Sequence, residues 1–278
     1  MSFPMEPSRE GDDSVSPPKP AEQPYIVAFQ VYGTRVSVTV PRAELIPTVI
    51  DQLPPDATPC EGQPGDPQFS LEIGEDGRYS VALNGRVLNP PQSLEGALGG
   101  LRRELFFHSV DHARDRLVVS AAAVAHEGRA ILLPGPSMAG KTTLAVALVR
   151  AGAVYYADDW TLLDREGLVH PLPTLLYIKN KEKVSAESLG GITGDRPIKV
   201  GLIANIRFRV GAHWDPRELT NAEGMMLLLQ NVYGMDEPGF AMEAARQAAA
   251  EAVVIDSERD DASEAASRLL EIVSGQTA

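Results

Sequence analysis

Cysteine is almost missing from the 278 residues: Cys60 stands alone. No internal disulfide can form, and a cytoplasmic setting is expected. Long apolar runs are missing too, so no segment is expected to span a bilayer and no membrane partner is expected. The opening Met1-Ser-Phe-Pro-Met-Glu6 lacks the basic-then-apolar order of a signal peptide. Positive charge is scarce as well, with 25 Lys and Arg against 38 Asp and Glu, for a net charge of −13. That balance argues against a nucleic-acid surface, because phosphate contacts supply most of such affinity. It leaves a nucleotide site open, since a few local donors suffice there. Neither repeats nor metal-ligand spacing among His108, His112, His126 and His170 can be found, so structural or surface roles are expected for these histidines. What remains is a chain with 44% hydrophobic residues, enough for a sizeable core.

Composition divides the chain. Residues 1–23 carry several prolines and acids with few bulky apolar residues, which predicts a disordered arm. Residues 24–115 alternate as strands at 25–32, 35–40, 69–73 and 78–83, with hairpin signals at Asp76-Gly77 and Asn84-Gly85. A short helix is expected over 43–53, and a second from the Ser93 cap to about His108. This reads as a small α+β module. From 116 to 278 the texture is α/β, with strands over 117–125, 129–133, 153–157, 160–163, 168–171, 200–210 and 251–256. Thr220-Asn-Ala-Glu223 is a capping box opening a helix to about Val232. Further helices are expected over 241–250 and from the Asp261 cap to Val273.

Within that second part, Gly135-Pro-Ser-Met-Ala-Gly-Lys-Thr-Thr143 fits G-x-x-x-x-G-K-[ST] at every fixed position. An apolar strand precedes it and a run of helix formers comes after it, the context the motif needs. Gly135 and Gly140 let the chain curl so that backbone N–H groups face phosphate oxygens, and Ser137, Met138, Ala139 and Thr143 complete the cradle. The helix beginning near Lys141 adds partial positive charge. Lys141 is placed to reach the β- and γ-phosphates, and the Thr142 hydroxyl to enter a Mg²⁺ shell. ATP with Mg²⁺ is the expected cofactor pair. A second signal is Asp158-Asp159 at the end of the next apolar strand. A carboxylate there either holds Mg²⁺ or takes a proton from an attacking hydroxyl. Neighbouring strand residues point to opposite faces, so the two are expected to divide these roles unless the strand ends in a turn. Arg207, Arg209, Lys179, Lys181 and Lys183 are expected to be surface charges.

Ser120 to Ala145, together with Gly152-Ala-Val-Tyr-Tyr-Ala-Asp-Asp159, resembles the HPr serine kinase/phosphorylase superfamily, and in particular its shorter relatives associated with peptide modification. The resemblance implies a P-loop kinase core akin to HPr kinase and to the nucleotide domain of phosphoenolpyruvate carboxykinase. It further implies ATP and Mg²⁺, transfer to a hydroxyl (serine above all) of a peptide, protein or small molecule, and room for a homo-oligomer. Carried over by position, Lys141 and Asp158 become catalytic, and Thr142 and Asp159 become metal-site residues. The family commonly has a histidine where this chain has Ser120, beside the catalytic carboxylate; Ser120 is expected to offer Asp158 a hydroxyl instead. The alternative is a nucleotide-binding accessory or scaffold protein of a peptide-modification pathway with little turnover.

Overall fold

The computed structural model describes residues 24–178, 182–233 and 237–275. The arm expected over 1–23, and Lys179 and Lys181, lie outside them. The first sheet contains β1 (Tyr25–Val31), β2 (Thr34–Val40), β3 (Thr58–Pro59), β4 (Gln68–Ile73), β5 (Tyr79–Leu83) and β6 (Arg86–Val87), ordered β3-β1-β2-β4-β5-β6. Its alternating residues Phe29, Val31, Val36, Val38, Phe69 and Leu71 are buried, as a sheet with one covered face requires. In α1 (Ile46–Ile50), Pro47 sits in the first turn, where its missing N–H costs nothing. Ser93 caps α2 (Leu94–Asp111) by accepting from the Gly96 N–H at 3.2 Å. Leu98, Leu101 and Leu105 form the buried stripe of this helix, which runs past the expected His108 because Val110 is buried too.

The second sheet is built from β7 (Leu117–His126), β8 (Arg129–Pro134), β9 (Val154–Ala157), β10 (Trp160–Leu163), β11 (Val169–His170), β14 (Val200–Phe208), β15 (Arg217–Leu219) and β16 (Val253–Arg259). A separate hairpin joins β12 (Leu176–Ile178) to β13 (Glu182–Val184), which carries Lys183. The main order is β11-β10-β7-β8-β14-β16-β15, with β9 also on β7. Strands β8, β14 and β16 run parallel, so their carboxyl ends share one edge. β7 is long enough to pair with β10 through its first half and with β9 through its second. Tyr155 opposes Val124 and Ala157 opposes Ala123, leaving Tyr156 as an extra bulged residue.

Helices cover both faces. On one lie α3 (Lys141–Arg150) and α6 (Ala262–Ser274), packed through Leu144, Leu148, Leu269 and Val273 against Leu202, Ala204 and Ile255. On the other lie α4 (Asn221–Leu229) and α5 (Pro238–Ala249), whose Leu228, Ala244 and Ala248 share a cluster with Ile203 and Val254. That second cluster continues without a break into Phe29, Phe69 and Leu101 of the first sheet and α2. The run Ala121-Ala122-Ala123 is fully buried. Small side chains on both faces of β7 let α3 and α5 approach closely.

Several boundaries differ from expectation. α4 ends at Leu229 rather than Val232, since Val232 bridges to Val119 as an isolated β contact. α5 begins at Pro238, before the expected 241, with the proline in its first turn. β14 stops at Phe208 instead of 210. β16 extends past Asp256 to Arg259, where Ser257 and Arg259 are buried although polar. Among the described residues, no helix is long and apolar enough to cross a membrane.

Gly167, in the turn between β10 and β11, has φ +75, and a Cβ there would lie 2.2 Å from the backbone nitrogen of Ala248 in α5. Gly128, in the β7–β8 turn, has a similar φ of +76 with nothing within 4 Å. Gly128→Ala is expected to cost about 1–2 kcal/mol from backbone strain alone. Gly167→Ala adds a backbone collision and is expected to cost ~3 kcal/mol or more. Urea midpoints of the two variants measure the difference, and equal losses would show that α5 is not held against this turn.

Candidate functional site

β8 ends at Pro134, and Gly135–Gly140 leads directly into α3. The loop therefore emerges where β14 and β16 also end, at the carboxyl edge of the parallel strands, the place where open α/β sheets hold ligands. Its curl needs left-handed residues: Met138 has φ 68 and Gly140 has φ 90. Gly140 is also crowded, for a Cβ there would lie 3.0 Å from Arg259 Nη2 and 3.5 Å from Phe208 Cβ. Gly140 is the N-cap of α3 with no side-chain cap, whereas Ser93, Thr220 and Asp261 cap their helices through side chains. The first N–H groups of α3 thus lie next to the loop without a capping oxygen. Pro136, Ser137 and Met138 are exposed, Met138 to 97%.

Lys141 turns back across this loop. Its ammonium donates to the carbonyls of Gly135 at 2.9 Å and Pro136 at 3.0 Å, and the residue is 6% exposed. Burial lowers its pKa, while Asp159 and Asp158 oppose that shift. Thr142 donates its hydroxyl to Asp158, at 2.8 Å to Oδ2 and 3.0 Å to Oδ1. Thr143 is exposed on the same turn.

The strand carrying the two aspartates does end in a turn, and both carboxylates come to the loop. Trp160 N donates to Asp158 O at 2.9 Å and Ala121 N to Asp159 O at 3.2 Å, with Asp159 at φ 67. Asp158 is buried, 5% exposed, against Thr142. Asp159 is largely open and lies 4.0 Å from Lys141 Nζ. Burial, and then the charge of Asp159, push the Asp158 carboxyl up to about 6; the Thr142 hydrogen bond and Lys141 pull the other way. A carboxylate poised there can accept a proton near neutral pH. The oxygen donors of Thr142, Asp158 and Asp159 also suit Mg²⁺, which takes one or two carboxylates and completes its shell with water and phosphate. Among the described residues, no group of three or more His, Cys, Asp or Glu is placed to hold a metal ion.

Ser120 does not reach Asp158. Its hydroxyl donates to Gly135 O at 3.0 Å, and Gly135 N returns a bond to Ser120 O at 3.1 Å. β7 carries Ser120 opposite Trp160, so the residue faces the root of the loop instead of the carboxylate. Arg207 holds Asp256 in a bidentate pair at 2.7 and 3.1 Å, Asn205 donates to the same carboxylate, and Arg209 pairs with Glu258. Both arginines are thus committed to strand neighbours, in line with surface roles. His170 sits 2.8 Å from Asp164, His126 bonds Ser274, and His108 stacks on His112.

One residue escaped the sequence reading. Arg259 ends β16, is 4% exposed, and donates Nη2 to Gly140 O at 3.1 Å. Its guanidinium lies over the Phe208 ring, 5.6 Å from the centroid. The signal was the alternation Ile255, Ser257, Arg259, which continues one face of the strand beyond its apolar part.

No protein-family model matches the chain, and no curated protein matches it. Among solved structures, the Hpr(Ser) kinase/phosphatase from Coxiella burnetii aligns at 11% identity and a TM-score of 0.34, over 58% of this chain and 95% of that one. This is a distant likeness of fold, and it assigns no residue of this chain a role.

Asp158 keeps its proton to about pH 6 in the fold, against about 4 in an unfolded chain. Folding therefore takes up a proton between those values, and stability falls as pH rises through them. Asp158→Asn removes that loss while keeping an acceptor for Thr142. The variant is expected to be more stable than the parent at pH 7.5 by about 1–3 kcal/mol and equal to it at pH 4. Urea unfolding at both pH values measures this; a gain that is the same at both would rule out the buried charge as its cause.

Proposed function

We propose that the chain binds a nucleoside triphosphate, ATP with Mg²⁺, over Gly135–Thr143 and transfers the terminal phosphoryl group to a hydroxyl of a peptide, protein or small molecule. The observation that carries this reading is the hydrogen-bonded pair Thr142–Asp158 beside Lys141: a buried carboxylate, raised toward neutral pH, touching the first turn after a glycine loop. Oxygen donors for a cation, an ammonium for phosphate and a base for a hydroxyl occupy one small region. Structural pairs seldom combine all three.

In this reading Lys141 exchanges the carbonyls of Gly135 and Pro136 for phosphate oxygens. The amides at the start of α3 and the loop hold the remaining negative charge. Asp158 takes the proton of the acceptor hydroxyl as its oxygen forms a bond to the terminal phosphorus. The bond from that phosphorus to the bridging oxygen breaks, and the electron pair leaves with the nucleoside diphosphate. Thr142 and Asp159 are the residues that would hold Mg²⁺, whose bound charge would neutralise the phosphates. Asp159, close to Lys141, also keeps that ammonium on the side of the loop where transfer takes place.

A second reading has its own observation. The Ser120 hydroxyl is committed to Gly135, so it does not join Thr142 in orienting the Asp158 carboxylate. That arrangement suits a nucleotide-binding accessory or scaffold protein with little turnover.

Incubation with γ-labelled ATP, Mg²⁺ and serine-containing peptides separates the two. The kinase reading expects label on the peptide, reduced at least a hundredfold in Asp158→Ala, the range for losing a general base. It also expects nucleotide binding at least tenfold weaker in Lys141→Ala. Nucleotide bound with no label transferred, in the parent and in Asp158→Ala alike, would leave the accessory reading standing. A gain of rate in Ser120→His would mark the site as a weakened kinase.

A further inference from the structure

The loop has two flanks with different chemistry. Thr142, Asp158 and Asp159 lie on one, reached across β7, and Lys141 leans toward them. Phe208 and Arg259 lie on the other, at the ends of β14 and β16. If the reacting phosphoryl group sits at Asp158, an extended ligand must leave the loop toward the opposite flank. A triphosphate carries its nucleoside there.

Phe208 is not placed like an ordinary surface side chain. It continues the face of Ala204 and Ile206, which are buried at 0% and 8%, yet is itself 53% exposed. A Cβ at Gly140 would lie 3.5 Å from the Phe208 Cβ, so the side chain stands beside that turn, and the Arg259 guanidinium backs its ring. A cation behind the ring holds its orientation and leaves the ring open beside the loop. Exposed rings are common singly; a ring fixed by a buried cation against a glycine turn is a prepared surface.

Arg259 supplies the second, independent observation. It is 4% exposed, and its buried Nε has no hydrogen-bond partner. Burial lowers its pKa, opposed only partly by Asp261 and Asp260. A guanidinium taken out of water is costly unless a counter-charge or full hydrogen bonding offsets it. Gly140 O and a long contact of 3.4 Å to Asp260 O account for the bonds that it makes. A polyphosphate on the adjoining turn would supply the missing negative charge.

We propose that Phe208, backed by Arg259, seats the aromatic base of the nucleotide, so that the site selects a nucleoside triphosphate over a bare polyphosphate. The proposal rests on the nucleotide reading above and adds its nucleoside end. Arg259 acts here as a positioning residue, tying Gly140 to the ring, while Phe208 makes the contact.

The test compares Mg-ATP with Mg-tripolyphosphate by titration calorimetry on the full chain. Phe208→Ala is expected to weaken ATP about tenfold, within the range for losing one base–aromatic stack, and to leave tripolyphosphate within about twofold. Phe208→Trp is expected to keep ATP affinity, and its added indole emission should be quenched by ATP and not by tripolyphosphate. Lys141→Ala is expected to weaken both ligands. If Lys141→Ala weakens both while Phe208→Ala leaves the ratio of the two affinities unchanged, the base seat is overturned and phosphate binding stands. If the parent binds neither ligand, or Lys141→Ala alters neither, the nucleotide reading fails and takes the seat with it. Because Phe208 is half exposed, the alanine variant should keep the parent's urea midpoint, which excludes unfolding as the cause of lost affinity.

Discussion

The carbonyls of Gly135 and Gly140 are tied down by side chains, and the geometry of the candidate site depends on that restraint. Gly135 O accepts from both Lys141 Nζ and Ser120 Oγ, and Gly140 O accepts from Arg259. The three donors come from α3, β7 and β16, elements that meet only when the sheet is assembled. A glycine loop is entropically expensive to order, and here the folded core provides the order. The conformation is thus inherited from the β7-β8-β14-β16 arrangement and not from the loop residues alone. Strands β8, β14 and β16 have to be parallel for this, because only then do their carboxyl ends gather at one edge.

The same geometry explains why Asp158 is costly and why it stays where it is. The bulge at Tyr156 and the left-handed Asp159 break the edge of β7 between β9 and β10. At that break two acidic residues turn toward the loop together, so the charge of Asp159 adds to the difficulty of ionising Asp158. Burial dominates the shift of Asp158, and Asp159 comes second. A neutral residue there would be cheaper to bury; the raised carboxylate is the feature on which the proposed proton transfer rests. Thr142 and Lys141 lessen the cost without abolishing it.

Much of this was legible in the chain. The glycine loop, its flanking strand and helix, the Asp158-Asp159 signal and the caps at Ser93, Thr220 and Asp261 all rest on local rules, and local rules act within a few residues. What depended on distant partners was not legible. Ser120 was expected at Asp158 and is found at Gly135, because its direction is set by the register of β7 on β8 and β10. Arg259 lies beyond 256, where the strand was expected to end; it packs on Phe208 and Gly140, both far away in sequence. The different placements of Asp158, buried on Thr142, and Asp159, largely open, depend on a turn whose positive φ belongs to an aspartate, where a sequence reading looks first for glycine.

Helix α2 connects the first sheet to the site. Trp160 comes directly after Asp159, stacks on Phe106 at 5.3 Å, meets Phe107 edge-on at 5.0 Å, and lies 5.5 Å from Tyr233. Phe106 and Phe107 belong to α2, which is fixed to the first sheet through Leu101 and Leu105. The Asp158–Asp159 turn is therefore held from both ends: Thr142 grips one carboxylate, and the aromatic group anchors the next residue to a different part of the chain. Aromatic pairs of this kind contribute about 0.5–1.5 kcal/mol beyond the area they bury. That is enough to bias a turn that already contains a left-handed aspartate. Loosening α2 would free the turn before it disturbed the glycine loop, because the donors to Gly135 and Gly140 all belong to the second sheet and its helices. The first sheet with α2 is thus coupled to the carboxylates more directly than to the glycine loop.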